Sequence, residues 1–130
     1  MRNKGIRDVL KGNESYEHFS VKMQAYYILK KSKAWKDIWI EKNIKDYTID
    51  VYAQRWEGKN KKYGELHKYE TQGLEHFFIE ISENTYDKDV KKLRDVCKSF
   101  DTNTRDLIII PEKLPESVIE RKERLKKVLL

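Results

Sequence analysis

Asp50, Glu80 and Glu41 each interrupt a run of aliphatic and aromatic residues: Ile49-Asp50-Val51, Ile79-Glu80-Ile81 and Trp39-Ile40-Glu41. Asp and Glu are disfavoured in strands, and a carboxylate in a half-buried strand is costly unless it is paired or bound to a cation. Three such segments making the same choice point to one shared site. Two or three convergent carboxylates are what a hard divalent cation such as Mg²⁺ or Mn²⁺ requires. An ion of that kind activates water and neutralises a phosphodiester. Each acid alone also has a plainer use: Asp50 could pair with Arg55 or a lysine, and Glu41 has Lys42 and Lys45 nearby.

The elements that must position these acids can be read from the periodicity. Phe19, Met23, Tyr26, Tyr27 and Lys30 recur at helical spacing and predict a helix from about Ser15 to Lys31. Asn13 or Ser15 can cap it, and Glu14 and Glu17 suit its positive end. Lys36 to Lys42 and Tyr47 to Trp56 alternate with period two and predict two strands. The short Asn43–Asp46 link makes them an antiparallel hairpin. A third strand is expected at His76–Ser82. A second helix opens at Asn84 or Thr85, with the stripe Val90, Leu93, Cys97 and Phe100. After a turn at Asp101–Thr104, the apolar run Leu107–Ile110 predicts a strand covered on both faces, ended by Pro111. Pro115 opens a last helix over 115–130. The crossover through the second helix makes the third and fourth strands parallel. Simple alternation puts Asp50 with Tyr52, Glu80 with Phe78 and Ser82, and Glu41 with Trp39, each opposite its strand's aliphatic side chains. The fold class is α/β, a small mixed sheet with helices on both faces.

With 130 residues, the chain has the length of one domain, expected over 1–130, with an N-terminal extension at 1–14 and a long basic loop at 57–73. Hydrophobic and charged residues each make up 38%, and the 12% of aromatics argues against disorder. A lone cysteine, Cys97, excludes a disulfide framework, and it forms no zinc-ligand pattern with His67 or His76. No Gly-rich phosphate loop and no Gly-x-Ser-x-Gly elbow are present. No apolar run has the length of a membrane span, so no membrane partner and an intracellular, cytoplasmic location are expected. The 28 Lys and Arg against 22 Asp and Glu give a net charge of +6, which permits a polyanionic partner without demanding one.

Asp50, thirty residues before Glu80-Ile81-Ser82 within the order helix, three strands, helix, strand, resembles the PD-(D/E)xK nuclease superfamily. The likeness runs from about Ser15 to Pro111, with a restriction-endonuclease-like α-β-β-β-α-β core. A closer likeness is to CoiA-like competence nucleases and related archaeal or viral proteins, carried here by Glu17-His18, Lys22, Glu41, Ile49-Asp50-Val51 and Ile79-Glu80-Ile81-Ser82. The resemblance implies a Mg²⁺- or Mn²⁺-dependent nuclease acting on DNA, with Asp50 and Glu80 as metal ligands helped by the Ile81 carbonyl. It implies a further acid at Glu41 or Glu17. The family's lysine would stand where Ser82 stands, and a serine supplies no positive charge. Lys22, one helical turn after His18, is then the first candidate for a relocated cation, ahead of Lys91 and Lys92. Homodimers are common in such families.

Nucleic-acid backbone contacts would come from Lys59, Lys61, Lys62 and Lys68, with Trp56 able to stack on an unpaired base. The alternative is a non-catalytic relative, a nucleic-acid-binding or assembly module, motivated by Ser82 in the lysine position. A protein-interaction domain without a nucleic-acid role also fits the modest charge excess.

Overall fold

Ser15 starts the first helix through its hydroxyl, which accepts the His18 N–H at 3.0 Å. Helix α1 then runs over Tyr16–Ser32 and ends at Lys33, which adopts a left-handed conformation with φ of 57°. The computed structural model describes residues 14–56, 74–100 and 103–130. The expected extension up to residue 13 and the 57–73 loop, with Lys59, Lys61, Lys62 and Lys68, lie outside them, as does the side chain of Trp56.

Strands β1 (Asp37–Ile44) and β2 (Tyr47–Trp56) are joined by Lys45 and Asp46, with Lys45 left-handed at φ 56°. Strand β3 (Leu74–Ile81), helix α2 (Tyr86–Lys98), strand β4 (Thr104–Ile109), a 3₁₀ turn (Pro111–Lys113) and helix α3 (Val118–Leu129) follow. The sheet order is β1-β2-β3-β4. The β1–β2 and β2–β3 pairs are antiparallel, and β3–β4, linked through α2, is parallel. The protein is thus a small α/β fold with a four-stranded mixed sheet and three helices.

Each face of the sheet has its own core. On one side, Val21, Ala25, Ile28 and Leu29 of α1 and Leu125 and Leu129 of α3 pack on Val51, Ala53, Phe77 and Ile79. On the other, Leu93 and Val96 of α2 pack on Tyr52 and Phe78. Burying each such Leu, Ile or Phe contributes about 1.5–3 kcal/mol. No described helix is long and apolar enough to cross a membrane.

Two elements differ from the sequence reading. The strand sealed on both faces is β3, whose last six residues are all buried, whereas β4 lies at the sheet edge and is mostly half-buried. β4 also starts earlier, at Thr104, because pairing with β3 recruits the polar Thr104-Arg105-Asp106. The last helix begins at Val118 rather than Pro115. Pro111 instead opens the 3₁₀ turn, and Ser117, whose hydroxyl faces the Glu120 N–H at 3.5 Å, is the cap of α3.

Candidate functional site

Glu41, Asp50 and Glu80 stand at one level across β1, β2 and β3, where the sheet opens. The β1–β2 register runs through Ile40↔Val51 and Lys42↔Ile49 and skips the Glu41–Asp50 pair between them. Glu41 there is left-handed, with φ of 53°, an uncommon conformation for a side chain larger than glycine. The β2–β3 register stops at Val51↔Ile79. Beyond it the two acids clasp each other's strands. The Asp50 N–H donates to Glu80 Oε1 at 2.9 Å, and the Ile81 N–H donates to Asp50 Oδ2 at 2.8 Å. Carboxylates therefore take two main-chain donors at the point where the strands part, leaving neither N–H orphaned.

The structure corrects the faces expected from alternation. Glu41 and Asp50 look toward α1, not toward the side of Trp39 and Tyr52, and Ile49 joins the core under α2 rather than that of Val51. Glu80 does follow alternation and looks toward α2.

Helices α1 and α2 meet these acids with cations. On α1, residue 14 just before the helix, His18 and Lys22 form one stripe at four-residue spacing. Glu14 Oε1 takes the His18 Nδ1 at 2.6 Å and also the Lys22 ammonium. Lys22 is only 1% exposed and reaches Glu41 Oε2 at 3.4 Å. His18 Nε2 lies 3.0 Å from the Ile81 carbonyl and 3.4 Å from Asp50 Oδ2. On α2, Lys92 donates to Glu80 Oε2 at 2.9 Å.

The electrostatics follow from this pairing. Burial works to lower the His18 pKa, but the bond to Asp50, its charge and the bond to Glu14 outweigh it and lift the imidazole to about 9. His18 is then a cation at neutral pH, with both ring nitrogens donating. Burial, with Asp50 beside it, raises the Glu80 carboxyl to about 7 against the opposing pull of Lys92. A carboxylate poised there sits in the range where functional acids cluster.

Of the residues singled out in the sequence, Asp50, Glu80 and the Ile81 main chain meet through hydrogen bonds, whereas Glu41 engages Lys22 beneath α1 and Glu80 faces α2. Lys22 pairs with Glu14 and Glu41, and among the described residues it makes no bond to Asp50 or Glu80. The cation on Glu80 is Lys92, which the sequence ranked lower. Glu17 is exposed in the first turn of α1, and Glu14 takes the place expected for it. The signal for Glu14 was available in the 14-18-22 spacing. Ser82 is 1% exposed, and its hydroxyl has no hydrogen-bond partner among the described residues. His76 is core: burial lowers its pKa, and its Nδ1 meets the Tyr52 hydroxyl at 2.6 Å. Cys97 packs beside the α2 core, and burial raises its thiol pKa, unlike a nucleophilic cysteine.

Among the described residues no three His, Cys, Asp or Glu side chains form a ready-made metal cage. What the opening offers a hard cation is an all-oxygen set: the Asp50 and Glu80 carboxylates and the Ile81 carbonyl. That chemistry fits Mg²⁺ or Mn²⁺. His18 and Lys92 now balance the same oxygens, so a bound ion would share or take over that role. Compared with models of known protein families, with curated proteins and with solved structures, the chain matches none.

Proposed function

We propose that this chain is a metal-dependent nuclease of the restriction-endonuclease-like kind, hydrolysing phosphodiester bonds of nucleic acid, with DNA the expected substrate. The observation that carries the reading is the reciprocal Asp50–Glu80 clasp at the mouth of β2 and β3, capped by Lys92. The order of elements and the β1-β2-β3-β4 sheet with its parallel last pair support it. Asp50, Glu80 and the Ile81 carbonyl would hold Mg²⁺ or Mn²⁺. Such an ion supplies an activated water and charge neutralisation on the phosphate.

Lys92 answers the missing motif lysine. Ser82 is two residues after Glu80 and carries no charge, but the Lys92 ammonium reaches the Glu80 carboxylate from α2. It would place its charge where a pentavalent phosphate gains negative charge. His18, held by Glu14, carries its Nε2 proton at the Asp50 and Ile81 oxygens and orients both.

The test is cleavage of single-stranded, duplex and branched DNA and of RNA under Mg²⁺ and Mn²⁺. Asp50→Asn and Glu80→Gln should each abolish cleavage while leaving the circular dichroism spectrum in place. Cleavage by the double variant at the wild-type rate would refute the reading. The unpartnered Ser82 hydroxyl in the lysine position favours a second reading, a non-catalytic nucleic-acid-binding or assembly module. That reading predicts salt-sensitive binding without metal-dependent turnover.

A further inference from the structure

The face of α1 opposite the acidic site is unlike the rest of the surface. His18 and Lys22 occupy one side of the helix. Tyr16, Ser20, Met23 and Tyr27 occupy the other, as the 3.6-residue period requires. α3 lies alongside, its Leu125 and Leu129 buried, and Gln24 of α1 donates to the Val118 carbonyl at 3.2 Å. Val118, Lys122, Lys126 and Leu130 then share an i, i+4 row that faces the valley between the two helices. The result is a groove of about 760 Å³.

Its apolar lining includes Tyr16, Phe19, Met23, Tyr27, Val118 and Leu130. Tyr16 is 77% and Val118 65% exposed, so this surface is open. The charged side chains that line it are Lys31, Lys122 and Lys126, and no described acidic side chain does. Among the described residues, the one acidic contact of these lysines is Lys126 to Glu123 at 3.5 Å, a weak exposed pair.

We propose that this groove docks an acidic amphipathic helix of a partner protein, independently of the nuclease reading. The apolar floor matches the apolar stripe of such a helix, and the three lysines match acids on its flanks. The seventeen residues of α1 span about 25 Å, room for about four turns of a partner. A second copy of this chain fits less well, because a two-fold interface would set these lysines against their own images. The site on the opposite face of α1 would stay open while the groove is filled.

The test uses two labelled synthetic peptides of about 14 residues with the same leucine stripe. One carries glutamates on its polar face and the other lysines. Fluorescence anisotropy is read against the full chain and its Lys122→Glu/Lys126→Glu variant. Lys122 is exposed and Lys126 half-buried with its side chain 43% exposed, and circular dichroism checks that the fold is intact. The glutamate peptide should bind wild type and weaken about tenfold with the variant, which should in turn acquire binding of the lysine peptide. Absence of glutamate-peptide binding, or equal binding of both peptides, overturns the proposal. Preferential capture by phosphatidylglycerol vesicles, or a dimer in sedimentation that Tyr27→Glu dissolves, also overturns it, in favour of a lipid surface or a second copy.

Discussion

Lys22 and Lys92 divide one sequence expectation into two roles, and replacing each by methionine separates them. Lys22 is sealed between Glu14 and Glu41, whose side chains are 12% and 17% exposed. Lys22→Met keeps the buried stem volume but leaves both carboxylates without this cation. Breaking a buried ion pair costs about 3–5 kcal/mol. The low end applies here, since Glu14 keeps His18. A loss of about 3 kcal/mol is a large share of a total near 5–15 kcal/mol. Over 130 residues the unfolding entropy is about 0.27 kcal/mol/K, so Tm should fall by about 11 °C. Urea and thermal unfolding followed by circular dichroism measure both. Adding Glu14→Gln and Glu41→Gln should recover most of the loss, because no unbalanced charge then remains buried. Lys92→Met should cost far less stability. Its expected effect is about a hundredfold loss of cleavage, against little change for Lys22→Met assayed well below its melting point. A Lys22→Met protein that melts like wild type but has lost cleavage would refute this reasoning and restore Lys22 as the relocated cation.

Three further outcomes follow from the same geometry. In metal-free buffer, His18 is raised from 6.5 to about 9, so its contribution is fully present below pH 6.5 and is lost as pH rises to about 9. Urea unfolding across that window should show wild type losing stability that His18→Gln does not lose. Glu80 is raised from 4.5 to about 7, an acid favoured in its neutral form, so its contribution is present below pH 4.5 and lost as pH climbs to about 7. A Glu80→Gln protein should therefore gain on wild type between those values, and a flat difference would contradict the burial argument. Tyr52→Phe removes the hydroxyl from the buried His76 Nδ1 and should cost about 1–3 kcal/mol in the same assay, with no effect on metal binding.

Most of the fold was legible because its elements are locally consistent. Ser15 caps α1, the alternation over Tyr47–Trp56 makes β2, and the stripe on α2 faces one core. What escaped was set by tertiary pairing. Thr104-Arg105-Asp106 has no strand pattern of its own and is a strand because β3 offers it a parallel partner. The Leu107–Ile110 run resembles a central strand, yet in an edge strand the same residues are divided between the two cores, Leu107 on one side and Ile108 on the other. Pro115 permits a helix start, but Ser117 supplies the acceptor that a start requires.

The acids of the site were legible and their partners were not, for a physical reason. A carboxylate inside a strand violates local preference, so the sequence exposes it. A lysine on a helix violates nothing, and whether it is solvated or buried depends on what the fold sets opposite. The helical spacing ranked Lys22 ahead of Lys92, and the contacts across the sheet reverse that order for Glu80. The left-handed Glu41 decides the matter. By turning away from the side of Trp39, Glu41 meets Lys22 beneath α1 and engages that ammonium together with Glu14. Glu80, still obeying alternation, is left to α2 and to Lys92. Lys22 is thus held by Glu14 and Glu41, and Lys92 by Glu80. A Glu41→Gly substitution, which keeps the angle and removes the carboxylate, should weaken the hold on Lys22 without moving Lys92 from Glu80. The measurable consequence is a lower Tm with cleavage retained, and loss of cleavage at an unchanged Tm would show that Glu41 acts in the site itself.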